Sequence, residues 1–358
     1  MMSAALKYWG NLVGRGEAAV TVPALDGAFR PNRKLDEAQD RADLPDVDCL
    51  ALDGETLIAS AGSGLYRRTA DRVWTFLQQY DSPIAALCSL SGHGYAVALR
   101  NGEIHLSGGG VLSTGQDLTC ITALCHGVGR LFITSGSAGY DAENWQSDLL
   151  ERGSSGSVWQ VDLETGKRGC IASGLAFPSG IVADGQDLVI SEAWKHRLIR
   201  LNAEAPGKPD VLYADMPGYP GRITAAEDGY WLSIFAPRSQ LVEFVLREPQ
   251  YRRRMMAEVP QPYWIAPKLT SGNSFYEPLQ GGGVKHLGLL KPWAPTLSAG
   301  LCVKLDADFQ PVTSLHSRAD GHTHGVTSII EARGEITVAA RGNGTLVSIP
   351  RKELGDGQ

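Results

Sequence analysis

The chain has 358 residues, 43% of them hydrophobic, and a formal charge of -6 from 33 Lys and Arg against 39 Asp and Glu. That balance lacks the basic excess that binding to a phosphate backbone requires, so nucleic acid is excluded as a partner. No apolar run reaches the roughly 18 to 20 residues that span a bilayer, and the opening MMSAALKYWGNLVGRGE has no uninterrupted apolar core before a cleavage site. The expectation is a cytoplasmic protein without a membrane partner.

Residues 1–44 carry the polar stretch PNRKLDEAQDRADLPD, which reads as a segment that wraps the outside of a domain or closes it. From Cys49 onward a phrase repeats: a small apolar strand, a turn such as Asp53-Gly54 or Asp184-Gly185, a second apolar strand ending in small residues, and a third with aromatic residues or Arg. The copies are CLALDGETLIASAGSGLYRR from Cys49, IAALCSLSGHGYAVALRNGEIHL from Ile84 and ITALCHGVGRLFITSGSAG from Ile121. They continue as SGIVADGQDLVISEAWKHRLIRL from Ser179, RITAAEDGYWLSIFAPRSQLVEF from Arg222 and VTSIIEARGEITVAARGNGTLVSI from Val326. Six all-β units at roughly 40-residue spacing, stretched by insertions in the third and fifth, fit the radial blades of a six-bladed β-propeller over residues 45–350 better than a sandwich.

The insertion at 247–299 differs in texture, with YRRRMM, VPQPYWIAPKL and LQGGGVKHLGLLKPWAPT. Its proline and glycine content confines helix to the first third, and its aromatic residues mark a lid, a cap or a subunit contact. Leu301–Leu305 is a candidate strand to complete the fifth blade, and 351–358 is a polar tail. The six cysteines are scattered, with no C-x-x-C pair, and read as buried reduced thiols. No G-x-S-x-G elbow, P-loop or Rossmann fingerprint occurs, which removes serine-hydrolase, kinase and nicotinamide chemistry.

Residues 135–234 hold several motifs in one order: Tyr140-Asp141-Ala142-Glu143-Asn144-Trp145, Gly156-Ser157-Val158-Trp159, Leu175-Ala176-Phe177-Pro178-Ser179-Gly180, Ser191-Glu192-Ala193-Trp194-Lys195-His196 and Met216-Pro217-Gly218-Tyr219-Pro220-Gly221-Arg222. This stretch resembles the strictosidine synthase-like proteins, and the wider superfamily with gluconolactonases and regucalcin. The resemblance implies a substrate site over the central channel at the starts of the innermost strands. In the metal-holding relatives a divalent cation sits there and polarises an ester carbonyl or activates water.

The departures carry as much as the matches. By position Asp48 keeps an acidic ligand, while Ser179 stands for an Asn, Gly221 for an Asp, Arg222 for an Asn or Gly, and Thr119 or Cys120 for a further Asn. An Arg beside the axis opposes a Ca, Mg, Mn or Zn site, for which Asp48 and Ser179 would be the ligands. Thr327 stands where strictosidine synthase has its catalytic glutamate, so indole-alkaloid synthesis is not the reading.

The candidate catalytic residues are Glu192, Arg222 and His324. Arg222 would anchor a carboxylate or stabilise an oxyanion, or else pair with Asp48 or Glu192. Glu192 is a general base or a structural carboxylate, and His322 with His324, on one strand face, would supply metal ligands or an acid/base imidazole. Asp48, Tyr140, Trp145, Ser179, Trp194, Phe235, Arg238 and His322 are candidate substrate contacts, with Lys291 and Trp293 as further pocket wall. The leading expectation is a hydrolase of a lactone or related cyclic ester or amide, acting on a small molecule with the option of a carboxylate. The alternatives are a metal-independent lyase, isomerase or condensing enzyme, and a non-catalytic metabolite- or protein-binding propeller. Nothing in the sequence fixes an oligomeric state.

Overall fold

The computed structural model describes residues 22–354 apart from 92–93, 116–117, 128, 206, 273, 275 and 279–296. Among these residues twenty-four strands form six four-stranded antiparallel sheets arranged as the blades of a propeller. In the first blade, Val47–Asp53 (β2), Thr56–Ala61 (β3), Gly64–Arg68 (β4) and Trp74–Gln79 (β5) follow one another outward from the axis. Blades two to four repeat this plan with inner strands Ile84–Ser89 (β6), Ile121–Gly127 (β10) and Pro178–Asp184 (β14). The D-G turns expected from the sequence join first and second strands. Gly54 and Gly185, at φ of 58° and 62°, take the left-handed conformation that a two-residue hairpin requires.

The last blade is closed by the beginning of the chain. Val326–Ala332 (β22), Glu335–Ala340 (β23) and Thr345–Pro350 (β24) are completed by Asp40–Asp43 (β1), which runs antiparallel to β24 with Asp40 opposite Ser348 and Asp43 opposite Thr345. Such closure packs the last blade against the first, so that neither leaves an apolar face open and only short outer edges remain. Arg68 of the first blade pairs with Asp40 and with Glu335 at 2.6 Å, so the closing strand is also held by ions. Apolar layers fill the spaces between blades; Val189, Leu198, Leu232, Val303 and Phe309 form one of them.

The fifth blade departs from the repeat. Its inner strands are Gly218–Ala226 (β18) and Gly229–Pro237 (β19), and the third strand is Gly300–Leu305 (β20), beside Pro311–Ser317 (β21). The segment SQLVEF, which the repeated phrase aligned with a third strand, is instead the start of a helix, Gln240–Arg247. Ser239 caps it through an oxygen that accepts from the Val242 amide at 3.2 Å, and Val242 and Val245 bury one helical face. A second helix, Pro249–Glu258, follows, and Val245, Met255, Trp264 and Ala266 pack with Leu150 of the third-blade insertion in one small core. Lys291 and Trp293 lie outside the described residues.

All six cysteines are free; five are buried and Cys170 is exposed. Among the described residues no helix is long and apolar enough to cross a membrane.

Candidate functional site at the propeller axis

Every inner strand carries a register irregularity near its start. The shifts fall between Val47 and Leu50, Ile84 and Ala86, Ile121 and Ala123, Pro178 and Gly180, Pro220 and Ile223, and Val326 and Ser328. A bulge turns a residue out of the alternating pattern of its strand, and six of them at one level turn six residues toward the axis. These are Asp48, Ala85, Thr122, Ser179, Arg222 and Thr327, all lining one pocket. The axial position of the third blade is therefore Thr122 and not the expected Thr119 or Cys120, because the bulge lies further along the strand and Cys120 is buried behind it.

Arg222 occupies the centre of this ring. Its Nη1 and Nη2 donate to the two carboxylate oxygens of Asp48 at 3.1 and 3.0 Å, while Nε donates to the Thr122 carbonyl at 3.1 Å. The Ala85 and Thr327 carbonyls accept from the same guanidinium at 3.0 and 3.3 Å. One side chain thus bridges blades one, two, three and six from blade five. Burial alone would push the Asp48 carboxyl up. The charges of Arg222 and Arg341 and the hydrogen bonds from Arg222 and Thr327 outweigh it and hold Asp48 well below the usual carboxylate range. The hydroxyls around the ring are also engaged: Thr122 donates to the Pro178 carbonyl at 2.6 Å, Ser179 to that of Pro220 at 2.6 Å and Thr327 to that of Asp48 at 2.8 Å.

This donor set does not fit a divalent cation. Among the described residues Asp48 is the sole carboxylate in the lining, both of its oxygens are bound to Arg222, and the facing carbonyls already accept from that guanidinium. A hard cation asks for six or more free oxygens, and a fixed positive charge stands at the point where they would converge. Among the described residues no group of three His, Cys, Asp or Glu side chains is placed to hold a metal.

Above the ring the pocket wall is apolar. Trp145, Phe177, Phe235, Ile84, Ile121 and Leu269 line it, the last contributed by the insertion in the fifth blade. Trp145 meets Phe235 edge to face at 5.5 Å between centroids, and Phe177 stacks on Trp194 at 4.3 Å. Trp194 lies behind the wall, its Nε1 donating to the buried Asp148 at 2.7 Å. Phe177 holds a φ of 56°, a conformation that bulky residues seldom adopt and that its burial against Trp194 maintains.

Of the described residues expected at the site, Asp48, Trp145, Ser179, Arg222 and Phe235 meet at the pocket, and the others do not. Glu192 is fully buried at the end of Asp187–Glu192 (β15), accepting from the Ala176 amide and Lys195 at 2.8 Å each and from Arg197 at 2.6 Å. That is the structural alternative for this carboxylate. His324 is buried between the Ser298 hydroxyl at 2.9 Å and the Arg318 carbonyl at 2.7 Å, and burial lowers its pKa. His322 is exposed, 3.8 Å from Asp36. Arg238 pairs with Asp215 at 2.6 Å and Glu243 at 3.2 Å, and Tyr140 is half-buried outside the lining.

Among the charged residues of the lining, two arginines escaped the sequence reading. Arg100 follows Tyr95–Leu99 (β7) and Arg341 follows β23, so both end the second strand of their blades. The strings AVALRNG and VAARGNG carry them at matching points of the repeat, a signal visible once the second strands are aligned. Blades two and six flank blade one, which brings the two arginines to either side of Asp48.

No known family model matches the chain. A stretch of 131 residues is 33% identical to the Arabidopsis thaliana protein strictosidine synthase-like 13; it covers 36% of this chain and 32% of that protein, so the match spans about a third of the relative's length. The fold is similar to a Xanthomonas campestris gluconolactonase, with a TM-score of 0.54 and 13% identity over 88% of this chain and 91% of that one. It is also similar to a calcium-binding regucalcin from Agrobacterium tumefaciens, with a TM-score of 0.51 and 14% identity over 89% and 93% of the two chains. At these identities the two structures share the propeller fold, as the resemblance read from the sequence implied.

Proposed function

We propose that this chain takes a small organic molecule into the axial pocket without the help of a metal ion. The observation that carries the reading is the guanidinium of Arg222, which fills the axis and saturates Asp48. What remains above it is fixed charge and an apolar wall, the usual composition of a site that captures and orients a small ligand. Among the described residues the lining contains no imidazole and no carboxylate free of a guanidinium. Binding and orientation are therefore better supported than proton transfer by a side chain titrating near neutrality.

Catalysis on the bound molecule is the second reading, as hydrolysis of a lactone or as a metal-independent lyase, isomerase or condensing reaction. It is favoured by the fold shared with the Xanthomonas gluconolactonase, by the similarity to strictosidine synthase-like 13, and by the ionised Asp48 on the axis. In a lactonase Arg341 would face the developing oxyanion.

The test is elemental analysis of protein purified without chelator, followed by thermal-shift titration with a panel of lactones and small carboxylates, with and without EDTA. The expected result is stabilisation by a panel member that EDTA does not change, of about 2.7 kcal/mol at a hundredfold excess over Kd. Stoichiometric divalent metal with metal-dependent lactone hydrolysis would overturn the metal-free reading.

A further inference from the structure

Resting on the reading of the axial pocket as a small-molecule site, we infer that this pocket selects a carboxylate monoanion with an apolar body, and that Arg341 is its anchor. The argument starts from how the pocket's charges are matched. Arg222 is neutralised by the bidentate Asp48, and Arg100 is paired with Glu143 of the third-blade insertion. Arg341 is the third arginine in the lining, and its nearest carboxylate oxygen is Asp48 Oδ1, at 3.8 Å and beyond hydrogen-bonding distance. Among the described residues its guanidinium makes no hydrogen bond, although its side chain is only 30% exposed.

A guanidinium has five donors in a planar fork that matches the two oxygens of a carboxylate. Arg341 is held at the pocket edge by attraction to Asp48, yet Asp48 has no free oxygen to give it. A ligand carboxylate supplies the missing partner. A neutral ligand that displaced water from the same place would leave those donors unmatched, which costs affinity. A phosphate dianion would ask for a second cation, and Arg100 is engaged by Glu143. Trp145, Phe177, Phe235 and Leu269 then set the body of the ligand: apolar, with an aromatic ring suited to their faces and edges.

The test is isothermal titration of the full chain at pH 7.5 with phenylacetate, phenylacetamide and phenyl phosphate, repeated on Arg341→Met, Arg341→Lys and Trp145→Ala. Phenylacetate is expected to bind at least tenfold more tightly than its amide. Arg341→Met should erase that preference while leaving the amide within about twofold of its original affinity, and Arg341→Lys should restore part of it. Trp145→Ala should weaken acid and amide alike. Equal affinity for acid and amide in the parent protein, or a preference that survives Arg341→Met, would overturn the inference while leaving the pocket as a small-molecule site. Tighter binding of phenyl phosphate than of phenylacetate would also overturn it. If none of the three probes binds at millimolar concentration, both this inference and the reading of the pocket beneath it fall.

Discussion

Arg222 and Asp48 form a partly buried ion pair whose partners are 15% and 13% exposed, and the arginine also donates to carbonyls of three further blades. Removing one partner of such a pair leaves a buried charge without compensation, at a cost of about 3 to 5 kcal/mol. Arg222→Met and Asp48→Asn are each expected to destabilise by that amount in urea denaturation, with the double variant recovering part of the loss. A double variant as unstable as the sum of the two singles would show that the pair is not coupled. A second residue-scale prediction concerns His316, which is 5% exposed, with Nε2 2.8 Å from the Ser314 hydroxyl and a pKa that burial lowers to about 4. The unfolded chain takes up this proton near pH 6.5 and the folded protein does not until about pH 4. Stability is therefore fully present above pH 6.5 and falls as the pH drops toward 4, by roughly 3 kcal/mol from this group. The buried His324 shifts in the same direction. Replacing His316 by Gln should flatten the dependence of Tm on pH across that window.

At the scale of elements, the six bulges and the insertion together make the pocket. Leu269 of the insertion reaches the axis because two glycines in the sixth blade let its backbone close in. A Cβ at Gly342 would stand 2.1 Å from the Leu269 carbonyl oxygen, and one at Gly325, which has a φ of 65°, would stand 2.6 Å from it. Gly342→Ala is expected to push the 269 segment away from Arg341, weakening ligand binding and costing about 1 to 3 kcal/mol. Titration calorimetry and denaturation would read the two effects separately, and unchanged affinity would mean that Leu269 is not part of the bound state. The closing strand makes another element-scale prediction. Arg68 is 10% exposed and joins Asp40 of β1 to Glu335 of β23. Arg68→Met should loosen β1 first, seen as faster hydrogen exchange at residues 40–43 than in the third blade, with a loss of about 1 to 3 kcal/mol. Uniform loss of protection across all blades would contradict a local clamp.

For the whole molecule, ring closure needs no disulfide: the last blade borrows its outer strand from the beginning of the chain, and apolar layers cement each blade to the next. The same closure gives six inner strands one common end, so residues far apart in sequence become neighbours at the axis. Arg222 touches Asp48, 174 positions away, and Thr327, 105 positions away. A site built this way depends on the ring being shut, and variants that open β1 from β24 are expected to lose ligand affinity along with stability.

Much of this was legible in the sequence. Short alternating strands, D-G turns and sixfold repetition specify a closed all-β array because each strand pair can bury its apolar face only against a neighbour. The resemblance to the strictosidine synthase-like proteins and their wider superfamily puts Asp48, Ser179 and Arg222 at the axis, where all three line the pocket. Tertiary structure alone decided which way side chains face and which partners they find. The bulges shift register by a residue, so that Thr122 and not Cys120 meets the axis. A carboxylate at a strand end reads alike whether it serves a ligand or, like Glu192, three neighbouring donors. Arg100 and Arg341 look like ordinary loop arginines until the ring sets blades two and six beside blade one. Local pattern fixes the strands, because their periodicity is short-range, whereas the charge balance of the pocket is a sum over blades that only closure brings together.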